Sequence, residues 1–136
     1  MDPSLIDRPV SGQYRIACGE PCEVVSFDGY RRQGTAWDVS VAGVYVAVPA
    51  PFPHVGRKVL LTFALRGDPT PITCECRVQW HNRPSVQGGG IRKPVLPPGC
   101  GVEFVALEPD DAERIEAHVR AAICLAAHRL VSRLRR

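Results

Sequence analysis

The chain has 136 residues and a formal net charge of +3, with 45% hydrophobic and 23% charged residues. This length and composition suit one globular domain with its own core, and the mild positive charge permits an anionic partner without requiring one. No apolar run approaches the roughly 20 residues that cross a bilayer. Residues 1–7 lack a basic region followed by an apolar core, so a signal peptide is not indicated. We therefore expect a cytoplasmic protein without membrane insertion.

The six cysteines are predicted to be reduced, buried side chains. Alternation along a strand places Cys74 and Cys76 on one face, as small core residues. A metal site would need paired Cys-x-x-Cys knuckles or nearby His partners, and the sequence has neither pattern. It also shows no Ser-His-Asp pattern and no Gly-rich phosphate loop opening a helix. We expect no enzyme activity, no metal and no cofactor.

Turn residues divide the first two thirds of the chain into segments of strand length. Residues 1–21 contain frequent Pro and Gly and are predicted to be irregular. The predicted strands, each bounded by a turn signal, cover residues 22–27, 30–40, 43–48, 58–65, 72–80 and 101–105. Short strands of this kind suit a small antiparallel barrel, which leaves no exposed sheet edges. The predicted barrel covers residues 22–105.

The clearest alternation lies in residues 72–80, where apolar and polar side chains change places at every step. It predicts that Val78 and Trp80 face the barrel core, together with Phe104 of the last strand. Residues 81–99 are then predicted to form a long loop that contains Gly88-Gly89-Gly90 and four prolines. Loops of this length are often functional, but a tolerated insertion between strands is the slightly favoured interpretation of this one.

One helix is predicted over residues 109–135, within a single domain that covers residues 1–136. Pro109 suits the first helical position, and the acidic residues that follow it suit the positive end of the helix dipole. Apolar residues recur at three- and four-residue steps in one stripe: Ile115, Val119, Ala122, Ile123, Ala126, Leu130 and Leu134. Such a helix extends about 40 Å, which exceeds what a small barrel needs. We expect its last turns to pack on a second copy, as a homodimer, or on a partner protein.

The segment 35–46 carries the candidate binding residues. Asp38 and Ser40 are two residues apart at the end of a predicted strand, so both side chains are expected on one face. Gly43 follows where the chain reverses, and a positive φ, which Gly adopts without strain, is expected there. Asp, Ser and Gly are also ordinary turn residues, so the motif alone favours a solvated turn.

Together with its surroundings, the segment resembles the PilZ domain, a bacterial receptor module for cyclic di-GMP. The resemblance rests on Asp38-x-Ser40-x-x-Gly43, on residues 15–24 upstream and on residues 99–105 with the helix that follows. It implies a six-stranded antiparallel β-barrel with a long C-terminal α-helix. It further implies cyclic di-GMP as a regulatory ligand, which Asp38, Ser40 and Gly43 help to bind, and a role in signal transduction.

The PilZ family also places an Arg-x-x-x-Arg stretch just before the first strand, and this chain departs from that pattern. Arg15 takes the second Arg position, and the first falls on Ser11. A Ser hydroxyl replaces the planar fork of a guanidinium, and the loss of one such contact costs about 1–3 kcal/mol. Arg8, a few residues upstream, is a candidate to substitute for the missing fork.

Two functions fit these residues. The first is a receptor that binds cyclic di-GMP and passes the signal to a protein partner. The second is a degenerate PilZ adaptor that has lost ligand binding and works through protein interaction. A third, nucleic-acid binding through the basic end of the helix, is disfavoured because aromatic residues are few and the outward strand faces mix acidic with basic side chains.

Overall fold

The computed structural model describes residues 14–83 and 96–134. These ranges contain β1 (Ile16–Ser26), β2 (Arg31–Val39), β3 (Gly43–Ala47), β4 (Lys58–Leu65), β5 (Asp68–Asn82), β6 (Gly99–Ala106) and α1 (Pro109–Leu134). All neighbouring strands are antiparallel, and the sheet closes in the order β1-β2-β3-β6-β5-β4. The predicted six-stranded antiparallel β-barrel with a long C-terminal helix is confirmed.

The first strand begins earlier than the sequence predicted, because residues 16–21, expected to be irregular, form the first half of β1. The register between β1 and β2 shifts between Ala17 and Glu20, where Gly19 has a φ of 77°. A bulge of this kind absorbs an extra residue, and Gly supplies the left-handed conformation without strain. The strand therefore continues through a Gly and a Pro, and it brings Arg15 beside the end of β2.

The barrel interior is filled by inward-facing side chains from all six strands. Val39, Val44, Leu61 and Ile72 are completely shielded from solvent, and each such side chain contributes about 1.5–3 kcal/mol on burial. Five of the six cysteines are buried free thiols, as predicted, and Cys124 on α1 is exposed. The barrel interior is therefore largely apolar.

Trp80 lies outside the barrel, contrary to the sequence prediction, whereas Val78 is buried in the core as predicted. The register between β5 and β6 shifts between these two residues, and such a slip moves the following side chain to the other face. Trp80 therefore pairs with Gly101 and stacks on Tyr45, with ring centroids 5.4 Å apart. Phe104, predicted in the core, is partly buried and packs against it.

The helix α1 docks on the barrel through its first half. Ile115 is buried and Ile123 is partly buried. The guanidinium of Arg114 ties the start of α1 to the start of β5, donating to Asp68 Oδ2 at 2.9 Å and to the Thr70 carbonyl at 2.7 Å. This contact lowers the pKa of the Asp68 carboxyl. Within the described residues, no helix is long and apolar enough to span a membrane.

Candidate functional site

The turn between β2 and β3 is held by the hydroxyl of Ser40. The backbone N–H groups of Ala42 and Gly43 donate to its Oγ at 3.1 and 3.2 Å, and the Ser40 N–H donates to the Gly43 carbonyl at 2.9 Å. Ser40 has no exposed surface. It was expected to be displayed beside Asp38, but it lies past the end of β2, where strand alternation no longer applies. The Ser40 hydroxyl therefore stabilises the turn by accepting these two hydrogen bonds.

Gly43 is required by close packing and not by a positive φ. Among the described residues, the glycines with positive φ lie elsewhere, so the expected conformation at Gly43 was wrong. A β carbon at position 43 would lie 2.1 Å from the carbonyl oxygen of Val102 on β6. No side chain fits between two backbones at that distance. Gly43 therefore allows the β2–β3 turn to lie directly against β6.

Arg15 and Asp38 form an ion pair on the outer face of the barrel. Arg15 Nε donates to Asp38 Oδ1 at 2.8 Å, and the two side chains are 18% and 19% exposed. Asp38 pairs with Ala17 across β1 and β2, so the extended β1 places Arg15 next to it. Within the described ranges the terminal guanidinium nitrogens of Arg15 have no protein partner. The ion pair therefore holds the guanidinium through its Nε atom.

An open cleft of about 300 Å³ borders this ion pair. Its walls include Arg66 from the β4–β5 turn and the ring of Trp37, which is 43% exposed. Cys18 lies at its base, and burial raises the pKa of that thiol, which keeps it uncharged. Two guanidinium groups and one carboxylate give the cleft a net positive charge. Such a cleft suits an anionic ligand that also carries a planar ring.

A small depression of about 20 Å³ also borders Arg15, and its lining includes Trp80, Gly43, Gly101 and the acidic Glu103. Tyr45 stacks on the indole ring of Trp80 and is itself 1% exposed.

The hydroxyl of Tyr45 donates to the Pro97 carbonyl and accepts from Asn82 Nδ2, while burial raises the pKa of the phenol. Tyr45 also lies directly opposite Asp38 across β2 and β3. The aromatic pair is thus fixed in place beside the ion pair.

The structure brings Arg15, Asp38 and Gly43 together on one surface, with Ser40 buried beneath it. Arg8 and Ser11 lie outside the described residues. Sequence reasoning missed three lining residues: Trp37, Arg66 and Trp80. Arg66 is distant along the chain, and no spacing links it to the turn. The alternation that assigned Trp80 to the core gave no sign of the bulge that moves it outside.

The described residues form a closed antiparallel β-barrel with a cationic cleft on its outer wall. The chain belongs to the PilZ domain family, because the sequence model of that family matches residues 11–121. No curated protein sequence matches the chain.

Two solved structures share the fold. One is the PilZ domain of YcgR from Escherichia coli with c-di-GMP, at a TM-score of 0.62 and 12% identity, covering 88% of this chain and 95% of that one. The other is the inhibitor of motility MotI/DgrA from Bacillus subtilis, at a TM-score of 0.61 and 12% identity. That match covers 85% of this chain and 52% of the other, so this chain spans about half the length of MotI. Identity this low establishes a common fold alone.

Proposed function

We propose that this chain is a cyclic di-GMP receptor that relays ligand occupancy to a partner protein. The observation that carries the proposal is the ion pair of Arg15 with Asp38, placed beside a cationic cleft that Trp37 borders. Membership of the PilZ family supports the ligand class. The proposal also assigns the protein to the cytoplasm, where its buried thiols stay reduced.

Cyclic di-GMP offers two phosphates and two guanines, and the site has a group for each. The guanidinium of Arg15 carries donors that match either phosphate oxygens or the O6 and N7 atoms of guanine. The carboxylate of Asp38 accepts hydrogen bonds, so it can bind the N–H groups of a guanine edge. Arg66 adds a second cation across the cleft.

Arg15 lines both hollows, and each of them also has a Trp ring in its lining on which a base could stack. Trp37 borders the larger cleft and Trp80 the smaller depression. Stacking of a base on such a ring is worth about 1–3 kcal/mol. The larger cleft, at about 300 Å³, is at the lower end of the range for ligand sites. We therefore propose, as the resemblance to the PilZ family implies, that the N-terminal segment holding Arg15 folds over the ligand.

The second candidate function is an adaptor of the same fold that does not bind cyclic di-GMP. Ser11 at the first Arg position favours it. In that case the ion pair of Arg15 with Asp38 is structural and fastens the start of β1 to the end of β2. Both candidates are binding functions without catalysis.

Titration calorimetry with cyclic di-GMP decides between them. Arg15→Ala and Asp38→Asn are each expected to weaken binding by about tenfold or more, equivalent to about 1.4 kcal/mol. Arg31→Ala is the matched control, because Arg31 forms the same kind of pair with Glu23 at the other end of β2. Its affinity should equal that of the unmodified protein.

Absence of heat from the unmodified protein at high micromolar ligand would leave the adaptor as the function. An equal loss in the Arg31→Ala variant would show that net charge, and not the site around Asp38, determines the affinity.

A further inference from the structure

The last turns of α1 carry an apolar stripe that no element of the described chain covers. Beyond Ile123 the stripe continues through Ala126, Ala127, Leu130 and Leu134. Leu130 is 58% exposed and Leu134 is 76% exposed. The same face of the helix docks on the barrel further upstream, so α1 carries a docking face past the edge of the barrel.

The charge along this part of the helix has one sign. After Glu116 the sequence contains no further Asp or Glu and five arginines, at positions 120, 129, 133, 135 and 136. Glu116 is itself paired with Arg120. Arg129 and Arg133 are four residues apart, so they lie one turn from each other along one border of the stripe. The other border holds the uncharged Cys124.

A second copy of the chain could cover the apolar stripe, but the arginines beside the stripe would oppose such a pairing. A two-fold pair of these helices would be isologous, so each copy would contribute the same arginines to one seam. Like charges along such a seam destabilise pairing. No carboxylate side chain beyond Glu116 is present to offset them.

An anionic membrane surface would attract the arginines, but the side chains of the stripe are not those of a membrane-inserting helix. Interfacial helices insert large side chains such as Trp, Phe and Leu, whereas α1 has no Trp, Tyr or Phe between Pro109 and Leu134 and has alanines in the stripe. The anchors Ile123, Ala127, Leu130 and Leu134 follow the spacing of a helix that lies in a protein groove. Small alanines allow the walls of such a groove to approach the helix backbone.

The geometry points to a partner protein with an apolar groove that receives residues 123–134 of α1. Carboxylates on the rim of that groove pair with Arg129 and Arg133. The inference rests on the proposed function for the existence of a partner, while the contacts themselves do not involve the ligand site.

Photo-crosslinking in the native host tests the surface in the full-length chain. Leu130→p-benzoylphenylalanine probes the stripe, and Leu125→p-benzoylphenylalanine is the matched control, since Leu125 is 50% exposed on the opposite side of the helix. We expect an adduct with one other protein from position 130 and none from position 125. The crosslinked peptide, identified by mass spectrometry, should line an apolar groove with an acidic rim.

Charge reversal then tests the arginines. Arg129→Glu together with Arg133→Glu should reduce the adduct by about fivefold or more, equivalent to about 1 kcal/mol. An acidic-to-Lys change on the identified rim should restore it.

Several outcomes would overturn the inference. An adduct of twice the chain mass would assign the stripe to a second copy. Sedimentation with vesicles of equal parts phosphatidylcholine and phosphatidylglycerol, lost on the same charge reversal, would assign it to a membrane surface. Equal adducts from both positions, or none from position 130, would remove the docking surface.

Arg15→Ala separates this inference from the proposed function. If Arg15→Ala loses ligand binding but still gives the adduct from position 130, the result supports both the receptor function and the docking surface. If the protein without this change binds the ligand but gives no adduct from position 130, the docking surface alone is overturned.

Discussion

The indole of Trp80 occupies the space directly above Gly101 on the outer face of the barrel. The two residues are partners across β5 and β6, and a β carbon on Gly101 would lie 2.0 Å from the indole nitrogen. Any larger residue at position 101 must therefore displace the ring. The absence of a side chain at Gly101 positions the aromatic wall beside Arg15.

Gly101→Ala is expected to destabilise the protein by about 1–3 kcal/mol, the usual cost of an added methyl group in a packed position. The added carbon would force Trp80 off Tyr45, and urea denaturation measures the loss. Gly101→Ala combined with Trp80→Phe is the control, since a smaller ring leaves room for the methyl group. The double variant should lose less stability than the two single changes together. A single variant within about 0.5 kcal/mol of the unmodified protein would contradict this contact.

Ser40→Ala is expected to cost about 1–3 kcal/mol, because the N–H groups of Ala42 and Gly43 would lose their acceptor in a closed turn. The free energy of unfolding in urea measures this cost. Ser132→Ala, on the exposed part of α1, is the control and should change stability by less than about 0.5 kcal/mol. Equal stability of both variants would mean that the Ser40 hydroxyl does not hold the turn.

Strands and helix could be predicted because their signals are local. The alternation and the flanking turns of β4 predicted Lys58–Leu65 to the residue, and Pro109 marked the start of α1. The bulges in β1 and β5 could not be predicted, because a bulge is defined by the register of the partner strand. The early start of β1 and the outward Trp80 both follow from that missing information.

The residues of the candidate site likewise include some that the sequence predicted and some that it could not. Asp38 and Gly43 belong to one short motif, and the resemblance to the PilZ family added Arg15, so the sequence named all three as candidates. Arg66 reaches the cleft because β4 pairs with β1 in the closed barrel. That contact depends on the strand order, which no local pattern contains.

Stability is expected to fall at alkaline pH because two core thiols resist ionisation. Burial raises the pKa of Cys22 and Cys100 from 9.0 to about 12. The folded protein therefore keeps protons that the unfolded chain releases above pH 9.0, so their contribution is complete below that pH and is lost between 9.0 and about 12. Each thiol contributes a slope of about 1.4 kcal/mol per pH unit in this window.

Urea unfolding at a series of pH values measures this slope. Cys22→Ala should flatten it by about the share of one thiol. Cys124→Ala, which removes the exposed thiol on α1, should leave it unchanged. The same slope in both variants would show that Cys22 ionises as readily in the folded protein as in the unfolded chain.

The last prediction concerns the missing fork. Ser11→Arg is expected to tighten cyclic di-GMP binding by about tenfold, or about 1.4 kcal/mol, because a guanidinium adds two parallel donors on a long side chain. Ser4→Arg adds the same charge further from the predicted motif and should have a smaller effect. Calorimetry of Arg8→Ala tests whether Arg8 replaces the missing guanidinium. A large loss of affinity means that Arg8 already supplies the second fork, and the gain in affinity from Ser11→Arg should then be small. If Ser11→Arg gains nothing while Arg8→Ala and Arg15→Ala cost nothing, the cleft does not bind cyclic di-GMP and the protein is an adaptor.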